Sequence, residues 1–101
     1  MEPLKSVAAD ILIVEDEEAH AEAIQEGLAR LGHHCTVVHD GASAIARLSA
    51  RTFDIIVTDL MLGGPQDGLA VLAESRKTSP DTKVILVTAH SSVETCRQAG
   101  S

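Results

Sequence analysis

Short runs of apolar and β-branched residues alternate along the chain with longer segments in which apolar residues recur every three or four positions. Four of the short runs have the length and the Ile, Val and Thr content of β-strands, at residues 11–14, 35–39, 54–58 and 83–88. Three of them contain the stretches ILIV, DIIV and VILV without polar alternation. Such stretches are typical of parallel strands covered on both faces, so we predict central parallel strands at these three runs.

Helical periodicity follows each strand, at residues 17–31, 42–50, 67–77 and 93–99. A glycine stands after the first and last of these segments, at Gly32 and Gly100, and is expected to end each helix. The resulting order, βαβαβαβα, predicts a doubly wound parallel sheet with right-handed crossovers and helices on both faces.

The predicted helices differ in the faces they present and in how they begin. The first carries one apolar stripe, formed by Ala21, Ile24, Leu28 and Leu31. Asp40 or Ser43 is expected to cap the second helix, and Asp67 the third. The third helix is predicted to present Leu69 and Leu72 as its apolar residues.

Composition narrows the class of protein. The 101 residues are 45% apolar with a single aromatic residue, which indicates one small domain over residues 1–101 with an aliphatic core. A net charge of -7 disfavours direct contact with nucleic acid or an anionic membrane. Two cysteines without CxxC spacing, and the lack of a signal peptide or a 20-residue apolar run, predict a soluble cytoplasmic protein with reduced thiols.

Acidic residues follow two of the predicted strands. Glu15 and Asp16 come after the first strand and Asp59 after the third, while Thr88 ends the fourth. In a sheet of this kind the carboxyl ends of the strands form the functional edge. Three like charges gathered there imply a cation, and an all-oxygen donor set favours Mg²⁺. Asp59 is then a candidate nucleophile toward a phosphoryl group, with the Thr88 hydroxyl binding a phosphoryl oxygen.

Four ordered motifs resemble the receiver domain of two-component response regulators. They are ILIVEDEEAH at residues 11–20, FDIIVTDLML at 53–62, DGLAVL at 67–72 and VILVTAHSSVE at 84–94. The resemblance covers residues 10–100 and implies a flavodoxin-like α/β/α sandwich with strand order 2-1-3-4. It also implies a phosphorylated signalling switch, which turns over no metabolite and at most promotes its own phosphorylation and dephosphorylation.

The resemblance assigns a role to each matching residue. Asp59 is implied to accept the phosphoryl group from a sensor histidine kinase and, with Asp16, to bind Mg²⁺ directly. Glu15 is implied to act largely through metal-bound water, and the backbone carbonyl of Met61 to complete the protein ligands. Thr88 is implied to hydrogen-bond the phosphoryl oxygen and to reorient on phosphorylation, with the backbone N–H of Ala89 nearby.

The chain also departs from the family pattern. The fifth strand, with its Lys for the phosphoryl group, and the fifth helix are absent from the sequence, so we expect slow phosphorylation and self-association through an exposed fourth strand. The stretch GGPQ makes the loop before the Asp67-Gly68 pair one residue longer than usual. Ser75 stands where the family tends to place an apolar residue on the inner face of the third helix.

Two alternatives belong to other functional classes. One is a pseudo-receiver that binds a partner without phosphorylation, which the missing Lys favours and the complete set of acids disfavours. The other is a phosphohydrolase with an Asp nucleophile, which would need a second Asp where Met61 stands. The stretch VTAHSSVET resembles receivers joined to transcriptional activators, so a transcriptional output domain outside this chain is the expected partner.

Overall fold

The computed structural model describes residues 8–87 of the chain. Four strands and three helices alternate over this range. They are β1 (Asp10–Val14), α1 (Glu18–Arg30), β2 (His34–Val38), α2 (Gly41–Ala50), β3 (Ile55–Asp59), α3 (Gly68–Thr78) and β4 (Lys83–Val87). The predicted strand at residues 83–88 is thus described as far as Val87, and the predicted helix at residues 93–99 lies outside the described residues.

The four strands form one parallel sheet in the order β2-β1-β3-β4, which confirms the predicted topology. β1 pairs with β2 on one side and with β3 on the other, in a register that places Val14 beside Thr58. The chain crosses over from β2 to β3, so β1 and β3 become neighbours although α1, β2 and α2 separate them in sequence. This reversal of strand order creates the switch point at which such folds bind ligands.

The helix boundaries follow local chemistry. The side chain of Asp40 accepts a hydrogen bond from the Ser43 N–H at 2.7 Å, so Asp40 rather than Ser43 caps α2. Asp67 caps α3 in the same way, accepting from the Ala70 N–H at 3.0 Å. Gly32, with a φ of +92°, follows α1 in the left-handed region that glycine adopts without steric cost.

The core is aliphatic and is centred on the sheet. Leu12, Ile13 and Ile56 have no exposed surface, and the continuous apolar runs of β1 and β3 account for them. From α3, Val71 is also fully buried and belongs to the same cluster as Leu12 and Ile56. The predicted aliphatic core is therefore confirmed, with the two central strands as its driest part.

Two leucines of the predicted apolar helix faces are exposed. Leu69 is 54% exposed, because the face of α3 that is buried runs through Gly68, Val71 and Ser75, and one residue turns about 100° around a helix. Leu31 is 63% exposed, because α1 ends at Arg30 and Leu31 lies in the turn that follows. For Leu69 the spacing of apolar residues is helical, but the phase of the helix relative to the sheet is not contained in the spacing.

The prediction that all three apolar runs form central strands covered on both faces is wrong for β4, which pairs with β3 alone among the described strands. Its side chains Ile85 and Leu86 are 50% and 37% exposed, which agrees with the expectation of an exposed fourth strand. None of the helices among residues 8–87 is both long enough and apolar enough to cross a membrane.

Candidate functional site

The carboxyl ends of β1 and β3 lie side by side and carry the acidic residues. Val14 and Thr58 are paired in the parallel register, so the residues that follow them emerge at the same edge of the sheet. Glu15 and Asp16 follow β1 directly, and Asp59 is the last residue of β3. The predicted convergence of three acids depends on this pairing, which the crossover between β2 and β3 makes possible.

The three carboxylates form a compact cluster. Glu15, Asp16 and Asp59 each offer one carboxylate oxygen, and these oxygens all lie within 4.8 Å of one another. Glu15 and Asp59 are each only 1% exposed, whereas Asp16 is exposed at the mouth of the site. The cluster therefore has a buried floor made by two acids and one solvent-facing acid beside it.

The surroundings of Glu15 fix its position and change its acidity. Its Oε1 accepts a hydrogen bond from the Glu17 N–H at 2.9 Å, and its backbone carbonyl accepts one from the His39 Nδ1 at 3.0 Å. Burial raises the pKa of Glu15, the hydrogen bond from Glu17 partly opposes this effect, and the charges of Asp59 and Asp16 add to it. The cluster is thus a place where negative charge is costly in the absence of a cation.

Asp59 is held by backbone at the start of the loop between β3 and α3. Its Oδ1 accepts a hydrogen bond from the Met61 N–H at 3.0 Å, while the Met61 side chain is 61% exposed. The first residue of α3, Gly68, approaches so closely that a Cβ there would lie 2.5 Å from the Asp59 carbonyl oxygen and 2.8 Å from the Leu60 Cα. Only glycine fits this approach, which holds α3 against the end of β3.

A histidine that the sequence analysis did not single out lies beside the cluster. The Nδ1 of His20 is 3.0 Å from the Glu17 Oε1 and 4.0 Å from the Glu15 Oε1. Glu17 is the N-cap of α1 and His20 lies in its first turn. The two residues are three positions apart, a spacing that places side chains on one helix face. That spacing was the available signal, and it identifies His20 as a polar neighbour of the buried carboxylate.

The donor set fits a hard divalent cation. All three side chains offer carboxylate oxygen, and the repulsion that adds to the effect of burial on the pKa of Glu15 is of the kind that a bound cation removes. The backbone of Met61 also lies at the site, because its N–H binds Asp59. Thr88 and Ala89, which the sequence analysis places at the same edge, lie outside the described residues.

The family comparison agrees with this geometry. The family model of the response regulator receiver domain matches residues 11–101. The chain belongs to this receiver domain family. Over 90 residues this receiver domain is 33% identical to the transcriptional regulatory protein ZraR of Escherichia coli O157:H7. The alignment covers 89% of this chain and 20% of ZraR. The chain thus spans about a fifth of the length of that relative.

Solved receiver structures share the fold. The receiver domain of the sensor histidine kinase PA1611 from Pseudomonas aeruginosa PAO1 superposes with a TM-score of 0.75 at 30% identity, covering 93% of this chain and 80% of that one. The magnesium ion of that structure is coordinated in its active site cleft. The response regulator TrrA from Thermotoga maritima, in complex with Mg²⁺ and BeF, superposes with a TM-score of 0.74 at 30% identity, covering 89% of this chain and 79% of that one.

Proposed function

We propose that this receiver domain accepts a phosphoryl group on Asp59 in a Mg²⁺-dependent reaction and passes the change on as a conformational switch. The observation that carries the proposal is the convergence of the Glu15, Asp16 and Asp59 carboxylates within 4.8 Å at the end of the sheet. The donor in the cell is a sensor histidine kinase, and the recipient of the signal is a transcriptional output domain outside this chain.

Phosphoryl transfer requires a nucleophile that is held in position and a positive charge that offsets the negative charge of the reacting groups. A carboxylate oxygen of Asp59 forms a bond to phosphorus while the bond from phosphorus to the kinase histidine nitrogen breaks and its electron pair stays on that nitrogen. The hydrogen bond from the Met61 N–H to Oδ1 orients the Asp59 carboxylate, and its 1% exposure limits the access of water.

The acids around Asp59 are the residues that would hold the metal. Asp16 and Asp59 would bind it directly, Glu15 largely through water, and the Met61 carbonyl would complete the set of protein ligands. Bound Mg²⁺ supplies positive charge that offsets the charge of the incoming phosphoryl oxygens. The roles of Thr88 and Ala89, a hydrogen bond to the phosphoryl oxygen and a nearby backbone N–H, belong to the same proposal and rest on the family resemblance.

The function is therefore signalling rather than metabolic catalysis. The domain would promote its own phosphorylation and dephosphorylation and turn over no metabolite. A pseudo-receiver that works without phosphorylation is less well supported, because the chain retains both buried acids and the exposed one. An Asp-based phosphohydrolase is also less well supported, because the second Asp that such enzymes use is replaced by Met61, whose side chain points into solvent.

Intact-mass spectrometry after incubation with acetyl phosphate and Mg²⁺ tests the proposal. We expect the mass to rise by one phosphoryl group, the adduct to require Mg²⁺, and Asp59→Asn to abolish it. Asp54→Asn is the matched control, because Asp54 precedes the same strand at the opposite end of the sheet. An adduct that persists in Asp59→Asn, or one that forms equally well with the metal chelated, would contradict the proposal.

A further inference from the structure

Two helices of the fold, α2 and α3, begin with the same Asp–Gly pair. Asp40 and Asp67 cap them through hydrogen bonds to the Ser43 and Ala70 N–H groups. In both helices the glycine is buried and is the first helical residue. The two helix starts therefore share one local design, in which the acid caps the helix and the glycine leaves a space beside it.

Both spaces are filled by the backbone of one loop. This loop, residues 60–67, joins β3 to α3 and contains Met61. At the start of the loop, the backbone of Leu60 and that of Asp59, the last residue of β3, lie against Gly68. Near its far end Gln66 presses against Gly41, where a Cβ would overlap the Gln66 carbonyl oxygen and lie 2.7 Å from both the Gln66 C and Cβ. Contacts that close are not seen for real side chains, so neither glycine can be replaced without moving backbone.

The Gly41 contact is not explained by the needs of α2 itself. Among the described residues positive φ occurs only at Gly32 and Gly64, so the backbone of Gly41 is accessible to other residues. Helix propensity favours Ala over Gly, and Asp40 already supplies the cap. What requires glycine at this position is the approach of Gln66.

The same contact bears on the metal site. A cleft of about 170 Å³ lies between the tip of the loop, at residues 63–65, and the start of α2, whereas Gln66 lies directly against Gly41. The Met61 end of the loop is tied to Asp59 by the Met61 N–H. A displacement of Gln66 would be transmitted along a segment of four residues to the Met61 carbonyl.

We propose that Gly41 is a positioning residue for the Mg²⁺ site. By admitting the Gln66 backbone against the first turn of α2, it fixes the end of the loop opposite Asp59 and so sets the direction of the Met61 carbonyl. The inference rests on the proposed function, because it takes the Met61 carbonyl as a ligand. It adds to the determinants of metal affinity a residue on a separate helix that has no side chain with which to bind the metal.

The test compares two glycine substitutions by their effect on Mg²⁺ affinity. Gly41→Ala should weaken Mg²⁺ binding about 10-fold, the lower end of the effect usual for residues that orient metal ligands. Gly63→Ala is the matched control, because Gly63 is in the same loop and a Cβ there meets nothing within 4 Å. The chain has no Trp or Tyr, so calorimetry or amide chemical shifts should report binding. Measurements are made at a temperature well below the unfolding transition of every variant.

A rescue separates positioning from a general loss of stability. Gln66→Gly removes one of the atoms that the new methyl group would meet and loosens the backbone there, so the double variant should regain part of the Mg²⁺ affinity that Gly41→Ala loses. If Gly41→Ala only weakened α2, the second substitution would restore nothing.

The remaining outcomes are decisive in the other direction. Unchanged affinity in Gly41→Ala, or an equal loss in Gly63→Ala, would overturn the inference and leave the proposed function intact. Absence of Mg²⁺ binding by the parent chain would overturn both. If Gly41→Ala does not fold, the inference is tested on the parent chain by amide chemical shifts. Saturation with Mg²⁺ should shift the Gly41 amide resonance and leave that of Gly27 on α1 in place. An unshifted Gly41 resonance would overturn the inference.

Discussion

The two ends of the central strands treat their acidic residues in opposite ways. At the amino end, the Asp54 Oδ2 accepts a hydrogen bond from the Asp10 N–H at 2.8 Å, and Arg51 lies 3.4 Å from the Asp10 carboxylate. The Arg51 guanidinium also stacks 4.1 Å from the centroid of the Phe53 ring. Each charge at this end therefore meets a partner that the fold itself provides.

At the carboxyl end, acids are gathered beside one another. Glu15 and Asp59 are buried within reach of Asp16, and their proximity contributes to the raised pKa of Glu15. Fold stability alone would favour the arrangement at the amino end, where opposite charges meet. The contrast indicates that the amino end serves the fold, whereas the carboxyl end carries an electrostatic cost of the kind found at functional sites.

The largest expected difference between the two ends is in metal affinity. Asp16→Asn should weaken Mg²⁺ binding by about 100-fold or more, because it removes a direct ligand and even outer residues commonly contribute 10- to 100-fold. Asp10→Asn, the matched change at the amino end, should leave Mg²⁺ affinity unchanged. Calorimetry on both variants makes the comparison, and equal losses in the two would show that general surface charge rather than a defined site attracts the cation.

The second difference is in the stability of the metal-free chain. The folded state raises the pKa of Glu15 above its ordinary value of 4.5, so folding favours the protonated form of this side chain. The free energy of unfolding therefore falls as the pH rises from the ordinary value through the folded value, where Glu15 becomes charged in the folded chain. Glu15→Gln should therefore stabilise the chain at pH 7 by about 1–3 kcal/mol. The gain should vanish below the ordinary value, where Glu15 is protonated in both states.

Urea unfolding with a chelator present, at pH 7 and at acidic pH, measures this gain. A variant that is less stable than the parent at both pH values would contradict the view that the carboxyl end is strained. Addition of Mg²⁺ should narrow the difference at pH 7, because Glu15→Gln weakens Mg²⁺ binding and the variant therefore gains less stability from it than the parent.

Much of the fold and part of the site could be predicted from the sequence. The order of apolar runs indicates the parallel sheet, and the acids that follow β1 and β3 indicate the cluster, because both signals depend on chain position alone. The exposure of Leu69 could not be predicted, because helical spacing does not contain the phase of a helix against its sheet. The fit of Gly41 to Gln66 is likewise absent from local sequence, since it joins two segments that only the tertiary fold brings together.

A third expected effect concerns Ser75, which lies in the interior between α3 and the sheet. Its side chain is 1% exposed, and its Oγ has no hydrogen-bond partner among residues 8–87. Ser75→Ala removes this buried hydroxyl at almost constant volume and should stabilise the chain by about 1 kcal/mol. Ser49→Ala on the exposed face of α2 is the control and should change stability by less than about 0.5 kcal/mol. A loss of stability in Ser75→Ala would mean that the hydroxyl is bonded in solution.

The smallest expected effect is at the amino end, where Arg51→Ala should reduce stability by only about 0.5 kcal/mol. The ion pair with Asp10 is weak, because both side chains are nearly half exposed, at 49% and 44%, and salt screens such pairs. The contact with Phe53 is of a different kind, because the guanidinium lies 4.1 Å from the centroid of a buried ring. We therefore expect high salt to leave most of the loss in place and Arg51→Lys, which keeps the charge without the planar stacking group, to recover little of it. If Arg51→Lys restored full stability and high salt abolished the difference, the amino end would instead depend on charge pairing, and the two ends would differ only in the sign of their electrostatic contribution.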